Sequence, residues 1–249
     1  MRAWRLTTSC RSIRIMKAMV FAAGVGSRLK ELTHDTPKCL MMVRGTPMLE
    51  HVIERLKKVG VTEVAINLHH FPEKIIRFVE ERHHFNIRIT FSHEHTLLDT
   101  GGGLKKLRGI FERDDAFMVH NSDVYCDADL SKLVAAHRST NAVATLAVMR
   151  RTSTRGLYFD DAMRLVGWTQ EKNTTTPKGD LFAFGGISVC SGEIFSYMDE
   201  RDAFSIIEPF LQAARSSHRV GACEISPDSW IDIGTPEQLA KLQGRLSAQ

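Results

Sequence analysis

The 249 residues carry 33 basic and 29 acidic side chains, a formal net charge of +4, with 43% apolar and 25% charged residues. This length and balance suit a folded domain with a large core. No apolar run of about 18 residues marks a membrane span, and a mild positive charge without basic–aromatic interleaving favours anionic small molecules over nucleic acid.

Five cysteines, Cys10, Cys39, Cys126, Cys190 and Cys223, are scattered without a Cys-x-x-Cys pair. Their odd number and spacing favour free thiols in a reducing cytoplasm. The histidines, including His69-His70, His83-His84 and His93-Glu94-His95, show no zinc-type spacing. Residues 1–15 place Arg2, Arg5, Arg11 and Arg14 among Ser and Thr with no acid. The composition is that of a targeting peptide without a secretory apolar stretch. An unstructured extension is expected there, with a single domain over 16–249.

The run Ala18 to Ala23 reads as a strand buried on both faces. Gly24, Gly26 and Ser27 break it with a turn whose bare N–H groups suit an anion. Arg28 adds a planar cationic fork, and Lys38, behind Pro37, adds a second cation. Together they read as a polyphosphate loop. Leu29 breaks a dinucleotide Gly-x-Gly-x-x-Gly fingerprint, and the Walker pattern is absent. By itself the loop is also compatible with a plain strand-to-helix turn.

Met48, Leu49, Val52, Ile53, Leu56 and Val59 recur at helical spacing. Residues 63–68 form the next strand, with Asn67 at its carboxyl end, where open α/β sheets hold ligands. Pro72 opens a helix, and 87–91 alternate as a strand. Strands alternating with helices predict a Rossmann-like, three-layer α/β/α fold with a mostly parallel central sheet. Thr100, Gly101, Gly102 and Gly103 allow close backbone approach at a helix start.

Residues 116–123 read as a strand ending in Asn121, Ser122 and Asp123. A strand-end carboxylate suits Mg²⁺, which takes oxygen ligands and phosphate partners. Asp127-Ala-Asp129 raises a rival, a metal-dependent glycosyltransferase of the GT-A type, although Asp129 as a helix cap is preferred. A strand over 143–149 and a hairpin over 156–168 follow. Glu171-Lys172 opens a polar loop, and Gly185 and Gly186 interrupt a strand over 181–189, a sign of a bulge or close ligand approach. Helices are expected near 192–199 and 203–215. Asp232 then sits among Trp230, Ile231 and Ile233, where a carboxylate is costly unless paired or metal-bound. Pro236 opens the last helix.

Ala22-Ala23-Gly24-x-Gly26-x-Arg28-Leu29, Leu32-Thr33, Pro37-Lys38-x-Leu40, the Asn121-Ser122-Asp123 segment and Trp230-x-Asp232-Ile-Gly-Thr-Pro together resemble the sugar-1-phosphate nucleotidyltransferases. The resemblance spans 16–245. It is nearest the short N-acetylmuramate-1-phosphate uridylyltransferase and mannose-1-phosphate guanylyltransferase branch, and leans to the former. It implies Mg²⁺-dependent transfer of a nucleotidyl group from UTP or GTP to a sugar-1-phosphate. Arg28, Lys38, Asp123 and Asp232 would be catalytic, with both aspartates on the metal. Ala22, Ala23, Gly24, Gly26, Ser27, Thr100, Gly101 and Gly102 would bind nucleotide. Asn67, Asn121, Glu171, Lys172 and Gly186 would bind the sugar phosphate. Ser122 stands where the family has glycine, and Asn173 where it has proline. These departures motivate a further alternative, a non-catalytic nucleotide-sugar binding protein. The expected protein is cytoplasmic, monomeric or homo-oligomeric, and binds neither nucleic acid nor membrane.

Overall fold

A computed structural model describes residues 16–171, 177–217 and 219–247. Its strands are β1 (Met16–Phe21), β2 (Met42–Val43), β3 (Thr46–Pro47), β4 (Val61–Leu68), β5 (Arg88–His93), β6 (Phe117–Asn121), β7 (Val124–Cys126), β8 (Ala144–Met149), β9 (Gly156–Phe159), β10 (Leu165–Trp168), β11 (Asp180–Cys190), β12 (Val220–Glu224) and β13 (Trp230–Asp232). The α-helices are α1 (Met48–Lys58), α2 (Pro72–Glu81), α3 (Asp99–Lys106), α4 (Arg108–Phe111), α5 (Leu130–Thr140), α6 (Ile207–Ser217) and α7 (Pro236–Ser247).

β5, β4, β1 and β6 run parallel in that order. Their buried, apolar runs need helices on both faces. Ala18 and Val20 of β1 join one core with α1, α2, α5 and α7, whereas Met19 joins a second core with α3, α4 and α6. This is the three-layer arrangement, produced by side chains alternating along a doubly covered strand. Leu49, Ile53 and Leu56 of α1 are fully buried, each worth about 1.5–3 kcal/mol of transfer free energy.

Beyond β6 the sheet continues through β11, which runs antiparallel to β6, β8 and β9. The hairpin expected over 156–168 forms as β9–β10. β12 closes the far edge parallel to β8. The segment expected as a helix near 192–199 is a tight 3₁₀ turn, Gly192–Tyr197. The next helix starts at Ile207 instead of near 203. Residues 202–206 are drawn across the start of α3, where Phe204 N donates to Leu98 O (3.2 Å) and Phe204 O accepts from Gly101 N (2.8 Å).

Three strand ends lie level, because Phe21 pairs with both Asn67 and Asn121. At that end β13 lies antiparallel to β7, with Asp232 opposite Val124. Ile233 N donates to Asp123 O (2.9 Å). This small ribbon carries Asp232 to the end of the parallel sheet.

Candidate active site

A cavity of about 600 Å³ opens at the carboxyl ends of β1, β4 and β6. Residues 21–28, Lys38, Asn67, Thr100, Asn121, Asp123 and Gly234 line it. Ala22 N donates to Asn67 Oδ1 (2.7 Å), and Asn67 Nδ2 donates to Glu94 Oε1 (2.8 Å). Leu98 N in turn donates to Glu94 Oε2 (3.2 Å). Asn67 and Glu94 are 3% and 5% exposed, so this bracket is a buried, fully engaged tie between the β1 turn and the segment leading into α3. Gly26 has φ +68°, and a Cβ there would lie 2.9 Å from Thr33 Cγ2. Its conformation and crowding both require glycine.

Arg28 and Asp232 meet beside Gly234. A Cβ on Gly234 would lie 2.5 Å from Asp232 Oδ1 and 2.8 Å from Arg28 Nη2. Asp232 Oδ1 accepts from Gly234 N (2.9 Å) and Oδ2 from Gln238 Nε2 (3.1 Å). Lys38 forms an ion pair with Asp123. The four residues expected to be catalytic are therefore gathered at one end of the sheet. Asn121 packs against Gly186, whose φ is +70° and whose added Cβ would lie 2.7 Å from Asn121 Nδ2.

Among the described residues, no three His, Cys, Asp or Glu side chains gather as a metal cage. Asp123 on the cavity wall, with Asp232 behind it beside Arg28 and Gly234, nonetheless fits Mg²⁺, which is held through one or two carboxylates plus substrate phosphates. Gln238 Oε1, beside Asp232, is buried without a partner, and Asp123 already attracts a cation in Lys38.

Cys39 lines the cavity. Burial pushes its thiol up to about 12, so it stays protonated and is a poor nucleophile. His120 precedes Asn121, and burial pushes its pKa down to about 4, so the imidazole is neutral.

Other expected positions have different surroundings. Gly101 and Gly102 do not line the cavity. Their N–H groups donate to Phe204 O at 2.8 and 3.3 Å, and a Cβ on Gly102 would lie 1.9 Å from Asp202 O. Thr100 lines the cavity while its Oγ1 accepts from Ile206 N (3.0 Å). Glu171 pairs with Arg215 and accepts from Trp168 N (3.1 Å). Lys172 falls outside the described residues, as do 1–15. Both members of Asp127-Ala-Asp129 are engaged away from the cavity. Asp127 pairs with Arg245, and Asp129 Oδ1 caps α5 by accepting from Ser131 N (3.0 Å). That engagement counts against the glycosyltransferase alternative.

The sequence did not single out Asp99, Arg155 or Gln238. Arg155 and Asp99 line the cavity, and Gln238 orients Asp232. Only Gln238 had a local signal, lying two residues after the helix-opening Pro236 and six after Asp232.

A family model described as "Nucleotidyl transferase" matches residues 17–249. The chain belongs to the nucleotidyl transferase family. Among curated relatives of this nucleotidyl transferase, a D-glycero-alpha-D-manno-heptose 1-phosphate guanylyltransferase from Campylobacter jejuni is 32% identical, covering 89% of this chain and 96% of the relative. A UTP--glucose-1-phosphate uridylyltransferase from Synechocystis is 26% identical, covering 94% and 64% respectively. A mannose-1-phosphate guanyltransferase from Gibberella zeae is 39% identical, covering 54% and 38%. The chain thus spans less than two thirds of the length of the last two. HddC from Yersinia pseudotuberculosis, solved in complex with GMP-PN, superposes with TM-score 0.74 at 24% identity, covering 93% of this chain and all of that one. The nucleotidyltransferase fold is common to both.

Proposed function

We propose that this nucleotidyl transferase moves a nucleotidyl group from UTP or GTP to a sugar-1-phosphate, releasing pyrophosphate with Mg²⁺ as cofactor. The observation that carries the reading is the convergence of Arg28, Lys38, Asp123 and Asp232 on the glycine turn. Relatives named as guanylyl- and uridylyltransferases support the choice of bases. Residues 16–249 would act as one cytoplasmic domain. Among the described residues no helix is long and apolar enough to cross a membrane.

Such substitution at phosphorus needs positioning and charge neutralisation more than covalent chemistry. A sugar phosphate is already an anion at neutral pH, so it attacks the nucleotide's α-phosphorus without a general base. The turn amides of Gly24–Ser27 and the Arg28 fork hold the departing pyrophosphate. Lys38 lies on the α-phosphate as charge develops. Mg²⁺, when bound, supplies Lewis acidity to the reacting oxygens, with Asp123 and Asp232 as its protein ligands. Asn67 sets the turn through Ala22. Arg155, at the cavity edge, takes the incoming sugar phosphate together with Asn121 and the backbone at Gly186.

The test is pyrophosphate release from each NTP with a panel of sugar-1-phosphates and Mg²⁺. Release is expected with UTP or GTP and at least one sugar. Silence across the panel from folded protein contradicts the reading.

A further inference from the structure

Lys38 and Asp123 are each assigned a partner from the substrate side, yet here they hold each other. Their side chains are 12% and 24% exposed. At such depth, removing one charge leaves its partner poorly compensated. Asp123 cannot give a carboxylate to a divalent cation while the Lys38 ammonium occupies it without bringing two cations together. Lys38 cannot move to a phosphate without baring Asp123. Each departure becomes favourable when the other exchange happens at the same time.

We infer that the Lys38–Asp123 pair is a latch that couples divalent-cation binding to polyphosphate binding: the cation displaces Lys38 from Asp123, and the phosphates receive the displaced ammonium. This rests on the proposed nucleotidyl-transfer reading of the same site. Asp232 is oriented separately, by Gly234 N and Gln238, and Arg28 is placed beside it. The switching element is therefore the one Lys38–Asp123 ion pair. Thermodynamic linkage makes the effect reciprocal: each ligand strengthens the other by the same factor, typically about 5–150-fold.

Two binding measurements without turnover test the latch. In the first, Mn²⁺ alone is titrated by electron paramagnetic resonance into the wild type, Lys38→Met and Arg155→Met. Lys38→Met should bind Mn²⁺ at least about ten-fold more tightly than the wild type. Arg155→Met, which removes a cavity cation that does not touch Asp123, should change affinity by less than about three-fold. In the second, tripolyphosphate is titrated calorimetrically in EDTA. Asp123→Asn should bind it at least about ten-fold more tightly than the wild type, and well beyond Asp232→Asn. Equal Mn²⁺ affinity in Lys38→Met and wild type overturns the latch, as does an equal gain in Arg155→Met. Equal tripolyphosphate gains at positions 123 and 232 overturn it as well. Flat binding with pyrophosphate release intact removes the latch and leaves the activity. The expected binding pattern without release in any substrate pair keeps the latch and removes the activity.

Discussion

At the amino-terminal end of β6, a hollow of about 860 Å³ is larger than the roughly 600 Å³ cavity under the glycine turn at the other end. Both are rich in charge. In the larger hollow and beside it, acids and bases neutralise one another: Lys17 meets Asp114 at 3.0 Å, Arg219 meets Glu193 at 2.9 Å and Arg108 meets Glu112 at 3.0 Å. Two acceptors there, Asp114 Oδ2 and Ser191 Oγ, lack partners but are closed off from solvent. At the smaller cavity a tight turn, two arginines, Lys38 and three carboxylates come together where three strands end level, and among the described residues there only Lys38 and Asp123 are paired as an ion pair. Volume therefore does not set the proposed site apart. Charge placed at strand ends beside a turn with bare amides does, because a multiply charged ligand can neutralise it.

The sharpest way to break the contrast is at the aspartates. Asp123→Asn and Asp232→Asn should each lower turnover by about 10²-fold or more, with circular dichroism unchanged. A variant retaining near-normal turnover would remove that residue from the site. Next in size is Gly102→Ala, which drives a Cβ toward Asp202 O. It should cost about 1–3 kcal/mol in urea unfolding and weaken nucleotide binding, because the segment entering α3 must shift.

The cavity end also carries a pH signature. The folded pKa of His120, about 4, lies below its ordinary 6.5, so the unfolded chain takes up the proton first. Its contribution is fully present above about pH 6.5 and is lost as pH falls toward 4, by about 3 kcal/mol in total. Thermal unfolding across this window should show that limb, and His120→Gln should flatten it. The smallest effect belongs to the far hollow. Arg219→Ala, which breaks a partly exposed pair with Glu193, should cost under about 1 kcal/mol and leave turnover unchanged. A large loss of turnover there would erase the contrast between the two ends.

Much of the fold was legible because its signals are local. The apolar run before Gly24, the helical spacing from Met48, the cap at Asp129 and Pro236 at a helix start each fix an element with nearby residues. The family resemblance pointed to Arg28, Lys38 and Asp123, which line the cavity, and to Asp232, which lies beside Arg28 and Gly234 although it is far from Asp123 in sequence. What stayed hidden depends on partners with no pattern. Glu171 is drawn to Arg215, and the delayed start of α6 follows from Phe204 O accepting two glycine amides. A backbone carbonyl leaves no trace in side-chain periodicity. Arg155 reaches the cavity from the start of β9, a position that no spacing rule marks. The strands of the wing around β11 were legible over 143–149, 156–168 and 181–189, but their antiparallel direction was read only for the β9–β10 hairpin. A buried apolar strand reads alike whichever way its neighbours run.

In the proposed reaction Asp123 and Asp232 share one divalent cation beside the glycine turn. Crystals grown with Mn²⁺ and either GTP or UTP, measured for anomalous scattering, test it directly. One Mn²⁺ is expected within coordination distance of both carboxylates and of the nucleotide's phosphates, with Lys38 moved from Asp123 to a phosphate oxygen. A cation bound away from either aspartate, with nucleotide in the cavity, would contradict it.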